Sequence, residues 1–96
     1  MKLAYSREAR DDVVRLRAFI AAHDPRAAAR IARRLLQGTG RLMRHPRLGK
    51  QVRIAPQEVA PEEIRDWLVA AYVVRYLMLG EQVVVLRVWH QKEDRQ

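Results

Sequence analysis

A chain of 96 residues with no cysteine has room for one modest hydrophobic core and no disulfide or cysteine-bound metal to reinforce it. No apolar run approaches the roughly 18 residues of a membrane-spanning helix, and charges begin too early for a secretory signal, so we expect a cytoplasmic protein with a single domain over residues 1–96. The formal net charge is +8, and most of the cations are arginine. The guanidinium group makes bidentate hydrogen bonds to phosphate and carboxylate oxygens, so the partner is expected to be anionic.

The N-terminal part of the chain predicts a short strand followed by two helices. Ser6 ends the apolar stretch 2–5 and is a suitable cap for a first helix that ends near His23. The apolar stripe of that helix is Ala9, Val13, Leu16 and Ile20, and Asp11 lies four residues before Arg15 as a supporting ion pair. Asp24-Pro25 then begins a second helix at once, so the two helices form a hairpin.

The second helix is predicted to have an apolar side and a basic side. The apolar side carries Ala28, Ile31, Leu35 and Leu42, and the opposite side carries five arginines: Arg26, Arg30, Arg33, Arg41 and Arg44. Gly38 and Gly40 each cost a helix about 1 kcal/mol relative to alanine, so the basic stripe either continues to Arg44 or breaks after Gln37. These arginines are candidates for partner contact, and the alternative is an ordinary solvated face.

The C-terminal half predicts a loop and then an antiparallel meander. Residues 45–61 indicate an exposed loop with a brief strand at 52–54, and a period of two then predicts strands at 64–69, 72–79 and 83–89. Gly80-Glu81 suits a type II′ turn, which would place Leu77 opposite Val84 and Val73 opposite Val88. That register puts Arg75 and His90 on the same face of the sheet.

Both faces of this predicted sheet are substantially apolar. The helical hairpin is expected to cover one face, and a partner chain is the simplest cover for the other. The predicted fold class is therefore α+β: an N-terminal strand, a two-helix antiparallel hairpin and a C-terminal antiparallel β-meander.

The chain carries none of the usual nucleotide, hydrolase or zinc signatures, so we expect no metal and no cofactor. His90 ends the last predicted strand, where an imidazole beside Arg75 suits general acid or base catalysis in the cleavage of an RNA phosphodiester. The alternative is an ordinary hydrogen-bonded residue at the end of a strand.

Several stretches of the sequence, taken in order, carry a family pattern. They are Asp24-Pro25-Arg26-Ala27-Ala28-Ala29, the exit from the second helix between Leu42 and Gly49, Ile64-Arg65-Asp66, the Tyr72 to Tyr76 pair, and Leu86-Arg87-Val88-Trp89-His90. Together they resemble the RelE/ParE superfamily of type II toxins over nearly the whole length. The resemblance implies the RelE/ParE-like toxin fold and a cognate acidic antitoxin that wraps and blocks the toxin.

The resemblance leaves two targets open. ParE-like members are associated with poisoning DNA gyrase, whereas RelE-like members cut mRNA on the ribosome with basic residues of the sheet and, commonly, a tyrosine near the C-terminus. Here Trp67, Val73 and Glu93 stand where RelE-like members tend to be basic, and no tyrosine follows Tyr76. These departures favour a ParE-like toxin.

The leading hypothesis is therefore a toxin that inhibits gyrase by binding, is neutralised by an acidic antitoxin in a hetero-oligomer, and has no membrane partner. Its candidate contact residues are Arg26, Arg30, Arg33, Arg41, Arg44, Trp89 and Lys92. The alternative is a RelE-like ribosome-dependent endonuclease with His90 as acid or base and Arg65, Arg75 and Arg87 on the phosphate. A second alternative is a non-toxic binding module of the same fold.

Overall fold

A computed structural model describes residues 1–53 and 63–93 of the chain. Within these ranges lie the helices α1 (Arg7–His23) and α2 (Pro25–Arg41) and the strands β1 (Lys2–Tyr5), β2 (Lys50–Val52), β3 (Ile64–Val69), β4 (Tyr72–Leu79) and β5 (Gln82–His90). The strands form one sheet in the order β1-β5-β4-β3-β2, with β1 parallel to β5 and the other neighbours antiparallel. The predicted α+β arrangement is confirmed.

The helical hairpin is fixed by two capping residues. The Ser6 hydroxyl accepts a hydrogen bond from the Ala9 N–H at 3.0 Å and so begins α1. The Asp24 N–H donates to the Ile20 carbonyl at 2.7 Å, which ends α1, and its carboxylate accepts from the Ala27 N–H at 3.1 Å, which begins α2. Because one residue serves both helices, the hairpin has almost no loop, as the sequence predicts.

The main core lies between the hairpin and one face of the sheet. Its buried residues are Ala9, Leu16, Tyr72, Val74, Val85 and Val88, with Val13, Ile20, Ile31 and Leu35 packed against them. The predicted apolar stripes of both helices therefore face the sheet. A second buried cluster, formed by Leu42, Tyr76 and Val83, continues the core beyond the end of α2.

Gly38 explains why α2 continues through a residue that disfavours helix. A Cβ at this position would lie 2.5 Å from Val69 Cγ1, and the Gly38 carbonyl accepts a hydrogen bond from Trp67 Nε1 at 3.2 Å. The missing side chain lets the helix backbone approach β3 closely. The helix consequently reaches Arg41 instead of breaking after Gln37, while Arg44 lies in the turn that follows.

The predicted register between β4 and β5 is confirmed near the turn, and it is wrong beyond the middle of the two strands. Gly80 has a φ of +61°, and Leu77 pairs with Val84. Between Tyr76 and Arg75 the register shifts by one residue, so Val73 pairs with Trp89 in place of Val88. Leu86 is the extra residue of this β-bulge, which reverses the facing of every later β5 side chain.

The outer edge of β5 is covered in two ways. Its first half pairs with β1, which ends where Tyr5 lies opposite Val85. Beyond that point the Ser6 hydroxyl donates to the Leu86 carbonyl at 2.9 Å, and Asp12 accepts from the Val88 N–H at 2.9 Å. A carboxylate oxygen of Glu93 accepts from the His90 N–H at 3.0 Å. Beyond the end of β1, side chains thus satisfy the backbone groups of β5 that a longer strand would have paired.

Two further features differ from the sequence prediction. The short strand before the meander is Lys50–Val52, so it begins two residues earlier than predicted and does not include residue 53, and residues 54–61 of the predicted loop lie outside the described residues. The β3–β4 turn is made by Ala70 and Ala71, whose φ values of +50° and +71° are unusual for residues with a side chain. Among the described residues, no helix is long and apolar enough to cross a membrane.

The two glycines of α2 give a matched test of the helix–sheet contact. Gly38→Ala should destabilise the fold by about 1–3 kcal/mol, because its methyl group overlaps Val69. Gly40→Ala meets no atom within 4 Å and should stabilise the fold by up to about 1 kcal/mol through helix propensity. Urea unfolding of the two variants measures both changes, and equal effects would contradict the close approach.

Candidate functional site

Arg87, near the end of β5, is held by a carboxylate of the hairpin. Its Nε and Nη2 donate to the two oxygens of Asp12 at 2.8 and 3.0 Å, and Asp12 is only 5% exposed. The hydrogen bonds to Asp12 raise the pKa of Arg87 above its usual value, so the guanidinium stays charged. The bidentate pair joins α1 to the bulged part of β5.

Arg75 lies on the face of the sheet that points away from the hairpin. Its Nε and Nη2 donate to Asp66 on the neighbouring strand at 2.8 and 3.0 Å, and its guanidinium carbon lies 4.8 Å from the centre of the Trp89 ring. Trp89 is 8% exposed, so this predicted contact residue is largely covered. The contacts bind strands β3, β4 and β5 to each other on this face.

Arg65 anchors the turn that leaves α2. Its Nε donates to Glu63 at 2.8 Å, and its Nη1 donates to the carbonyls of Gly49 and Arg47 at 2.6 and 3.2 Å. The hydroxyl of Tyr76 adds to this anchor by accepting from the Gly49 N–H at 2.9 Å and donating to the Pro46 carbonyl at 2.7 Å.

Burial raises the pKa of Tyr76, which keeps its phenol protonated. The phenol therefore retains the proton that it donates to the Pro46 carbonyl, and the turn after α2 stays anchored on both sides. Arg65 and Tyr76 together hold this turn in place.

His90 lies on the hairpin side of the sheet, where the bulge has turned it. Its ring meets Tyr72 edge-on with 5.0 Å between the centroids, and its Nδ1 accepts a hydrogen bond from the Lys92 N–H at 3.1 Å. Burial, followed by the charge of Glu93, raises the pKa of Tyr72. The expectation that His90 and Arg75 share a face is therefore wrong. Leu86 is an extra residue in β5, and it moves His90 to the face opposite Arg75.

The C-terminal end also contains an ion-pair network that the sequence prediction missed. Arg15 does not pair with Asp11, and its guanidinium lies 3.8 Å from Asp12 and 3.4 Å from Glu93. Asp12 lies at the edge of the apolar stripe of α1, three residues after Ala9 and four before Leu16, and that position is the signal in the sequence. Lys92, another predicted contact residue, is exposed beside this network.

The basic side of α2 is present and open to solvent. Arg26, Arg30, Arg33 and Arg41 are all exposed on the helix, and Arg44 is exposed in the turn after it. Arg41 places its guanidinium carbon 5.8 Å from the centre of the Trp67 ring. None of these arginines forms an ion pair with a carboxylate of the described residues.

A groove of about 700 Å³ runs between α1 and α2, from core residues such as Leu16 and Leu35 to the solvent-exposed Val14 and Leu36. Its lining is mostly apolar and includes Val14 and Leu36, which are 68% and 67% exposed. Arg10, Arg17 and Arg33 also line it. The sequence prediction did not single out this groove, although Val14 and Leu36 are apolar residues that lie outside the core stripes.

Comparison with known proteins identifies the class of molecule that carries these features. The family model for the ParE toxin of the type II toxin–antitoxin system parDE matches residues 3–95. The chain therefore belongs to the ParE toxin family and is a toxin of the type II toxin–antitoxin class, as the sequence resemblance predicts.

Two relatives support this assignment. Toxin RelE1 from Caulobacter vibrioides is 36% identical over 87 residues, which cover 91% of this chain and 89% of the relative. A solved chain from a study of the chromosomal ParDE toxin–antitoxin system of P. aeruginosa superposes with a TM-score of 0.75 at 14% identity, covering 94% of this chain and 95% of that one. The structural likeness shows the fold.

Replacing the buried carboxylate tests its role in the fold. Asp12→Asn should destabilise the protein by about 1–3 kcal/mol, because an amide cannot accept hydrogen bonds from Arg87 on both of its terminal atoms. The matched control is Asp11→Asn on the exposed side of α1, which should change stability by less than about 0.5 kcal/mol. Urea unfolding distinguishes the two, and indistinguishable variants would contradict the role given to Asp12.

Proposed function

We propose that this chain is a ParE-like toxin that inhibits DNA gyrase by binding, without cleaving RNA, and that an acidic antitoxin neutralises it. The observation that carries the proposal is that Arg65, Arg75 and Arg87 are all engaged by acceptors within the protein.

In the RelE-like alternative, the guanidinium groups of these arginines must be free to stabilise the charge that develops on phosphate. Arg87 and Arg75 each make two hydrogen bonds to one carboxylate, and moving either guanidinium onto a substrate would break both of them. The geometry favours these arginines as structural residues of the sheet.

The position of His90 supports the same interpretation. A general acid or base must lie within hydrogen-bond reach of its substrate, with the charge-stabilising groups around it. Arg75 lies on the opposite face of the sheet, and the Lys92 N–H occupies Nδ1 of the imidazole. The hairpin, by contrast, leaves an apolar groove and a row of exposed arginines open to a partner.

A supercoiling assay tests the target. Purified toxin at micromolar concentration should inhibit DNA gyrase and accumulate cleaved DNA, and His90→Ala should retain the inhibition because binding does not need the imidazole. Circular dichroism would verify that the variant is folded. Full supercoiling at that concentration would contradict the proposal. So would defined mRNA cleavage sites in primer extension that disappear with His90→Ala, the result expected of the RelE-like alternative.

The groove between α1 and α2 is the proposed docking site of the antitoxin. An amphipathic helix binds such a groove through an apolar face, and the exposed Val14 and Leu36 supply the matching apolar surface. The arginines along the groove, Arg10, Arg17 and Arg33, complement carboxylates at the edges of an acidic helix. The alternative docking surface is the outer face of the sheet, where Leu68 and Leu79 are 57% and 53% exposed.

A pair of glutamate substitutions distinguishes the two surfaces. Leu36→Glu should weaken binding of the acidic antitoxin at least tenfold, which corresponds to about 1.4 kcal/mol, because it places a carboxylate in the apolar groove. Leu79→Glu is the matched control on the sheet and should leave the affinity within about threefold. Isothermal titration calorimetry measures both affinities. If Leu79→Glu weakened binding more than Leu36→Glu, the docking site of the antitoxin would be the sheet and not the groove.

A further inference from the structure

Helix α2 presents a surface, which we call the α2 basic face, that shares only Arg33 with the antitoxin groove. Its members are Arg26, Arg30, Arg33, Arg34 and Arg41, all of them exposed. At about 100° per residue they fall within a sector of about 100° around the helix axis. The groove residues of α2, such as Ala32 and Leu35, lie on the other side of the helix, and only Arg33 borders both surfaces.

The charge of this region has one sign. Residues 25–53 contain nine lysines and arginines and no aspartate or glutamate, whereas the rest of the chain contains ten cations and eleven carboxylates. The entire net positive charge of the protein therefore comes from α2 and the segment that follows it. Elsewhere the fold provides Arg65, Arg75 and Arg87 with carboxylate partners, but in the described structure it provides none for the α2 basic face.

The composition of the α2 basic face does not suit a protein partner. Arginine is common at protein interfaces, but the centres of those interfaces also hold apolar or aromatic anchors in pockets. Between its arginines this face carries only the polar Gln37, while the exposed Leu36 lines the groove. An anionic ligand that offers repeated charge and no apolar surface is the better match.

We propose that the α2 basic face binds the phosphodiester backbone of duplex nucleic acid without reading its sequence. Helix α2 has 17 residues and therefore a length of about 25 Å, so its arginines reach several phosphates of one duplex. It contains no aromatic residue on which unpaired bases would stack, which favours a duplex over a single strand. The proposal goes beyond gyrase inhibition and does not depend on it.

Fluorescence anisotropy with a labelled DNA duplex of about two helical turns tests the binding directly. For roughly four phosphate contacts, affinity should fall about a hundredfold between about 50 and 200 mM salt. A duplex of unrelated sequence should bind equally well. An RNA duplex of the same sequence forms the second arm, and the ratio of the two affinities identifies which duplex the face prefers.

Charge-matched variants locate the contact. Arg30→Gln/Arg33→Gln/Arg34→Gln removes three charges from the α2 basic face and should weaken binding at least tenfold while reducing the slope of log affinity against log salt by about three. Arg7→Gln/Arg10→Gln/Arg17→Gln removes three exposed charges from α1 and should weaken it less than about threefold. Thermal melts would verify that both variants are folded.

Three outcomes would overturn the proposal. The first is the absence of duplex binding at low salt, and the second is equal weakening of binding by the two triple variants. The third is displacement of the duplex by polyglutamate at matched charge concentration, and that result would assign the face to an acidic protein. The assay contains no gyrase, so a failure of the proposed target and a failure of this inference give separate results.

Discussion

The buried carboxylate of Asp12 is the contact on which the arrangement of the molecule depends. It accepts two hydrogen bonds from Arg87 and one from the Val88 N–H, at the place where the β-bulge has displaced β5 and β1 no longer covers its edge. A polar residue within an otherwise apolar helix face is costly to bury unless it is fully paired, so the contact fixes both the height and the rotation of α1 on the sheet. Because Asp24 joins α2 directly to α1, fixing α1 also determines which side of α2 faces solvent.

This arrangement divides the arginines of the protein into two groups with different roles. Those of the sheet, represented by Arg75 and Arg87, are paired with carboxylates and tie elements together. Those of α2 are exposed and unpaired among the described residues, beside an apolar groove that is also open. The sheet therefore serves as the scaffold, and the hairpin carries the surfaces that we propose for partner binding.

Local signals in the sequence were sufficient for the starts of both helices and for strands β3 and β4. Ser6, Asp24 and Pro25 mark helix ends through their own hydrogen-bonding chemistry, and alternation gave β3 and β4 with the bounds that they have in the structure. The pairing of β1 with β5, the close approach at Gly38 and the bulge at Leu86 depend on contacts between distant parts of the chain. Leucine fits either face of a sheet, so alternation alone could not reveal the inserted residue, and the error carried through to the facing of His90. The Ala70-Ala71 turn was equally hidden, because it lacks the glycine or asparagine typical of its geometry.

The covered edge of β5 has a consequence for the toxin when it is alone. An open strand edge is a template onto which another chain can add, and sheet proteins without edge protection tend to self-associate. Here Ser6, Asp12 and Glu93 occupy backbone groups that a second strand would need on that side of the sheet. The strong positive charge adds mutual repulsion between copies. The β5 edge of a toxin released from its inhibitor therefore does not promote self-association, so this edge does not direct the toxin into aggregates before it meets its target.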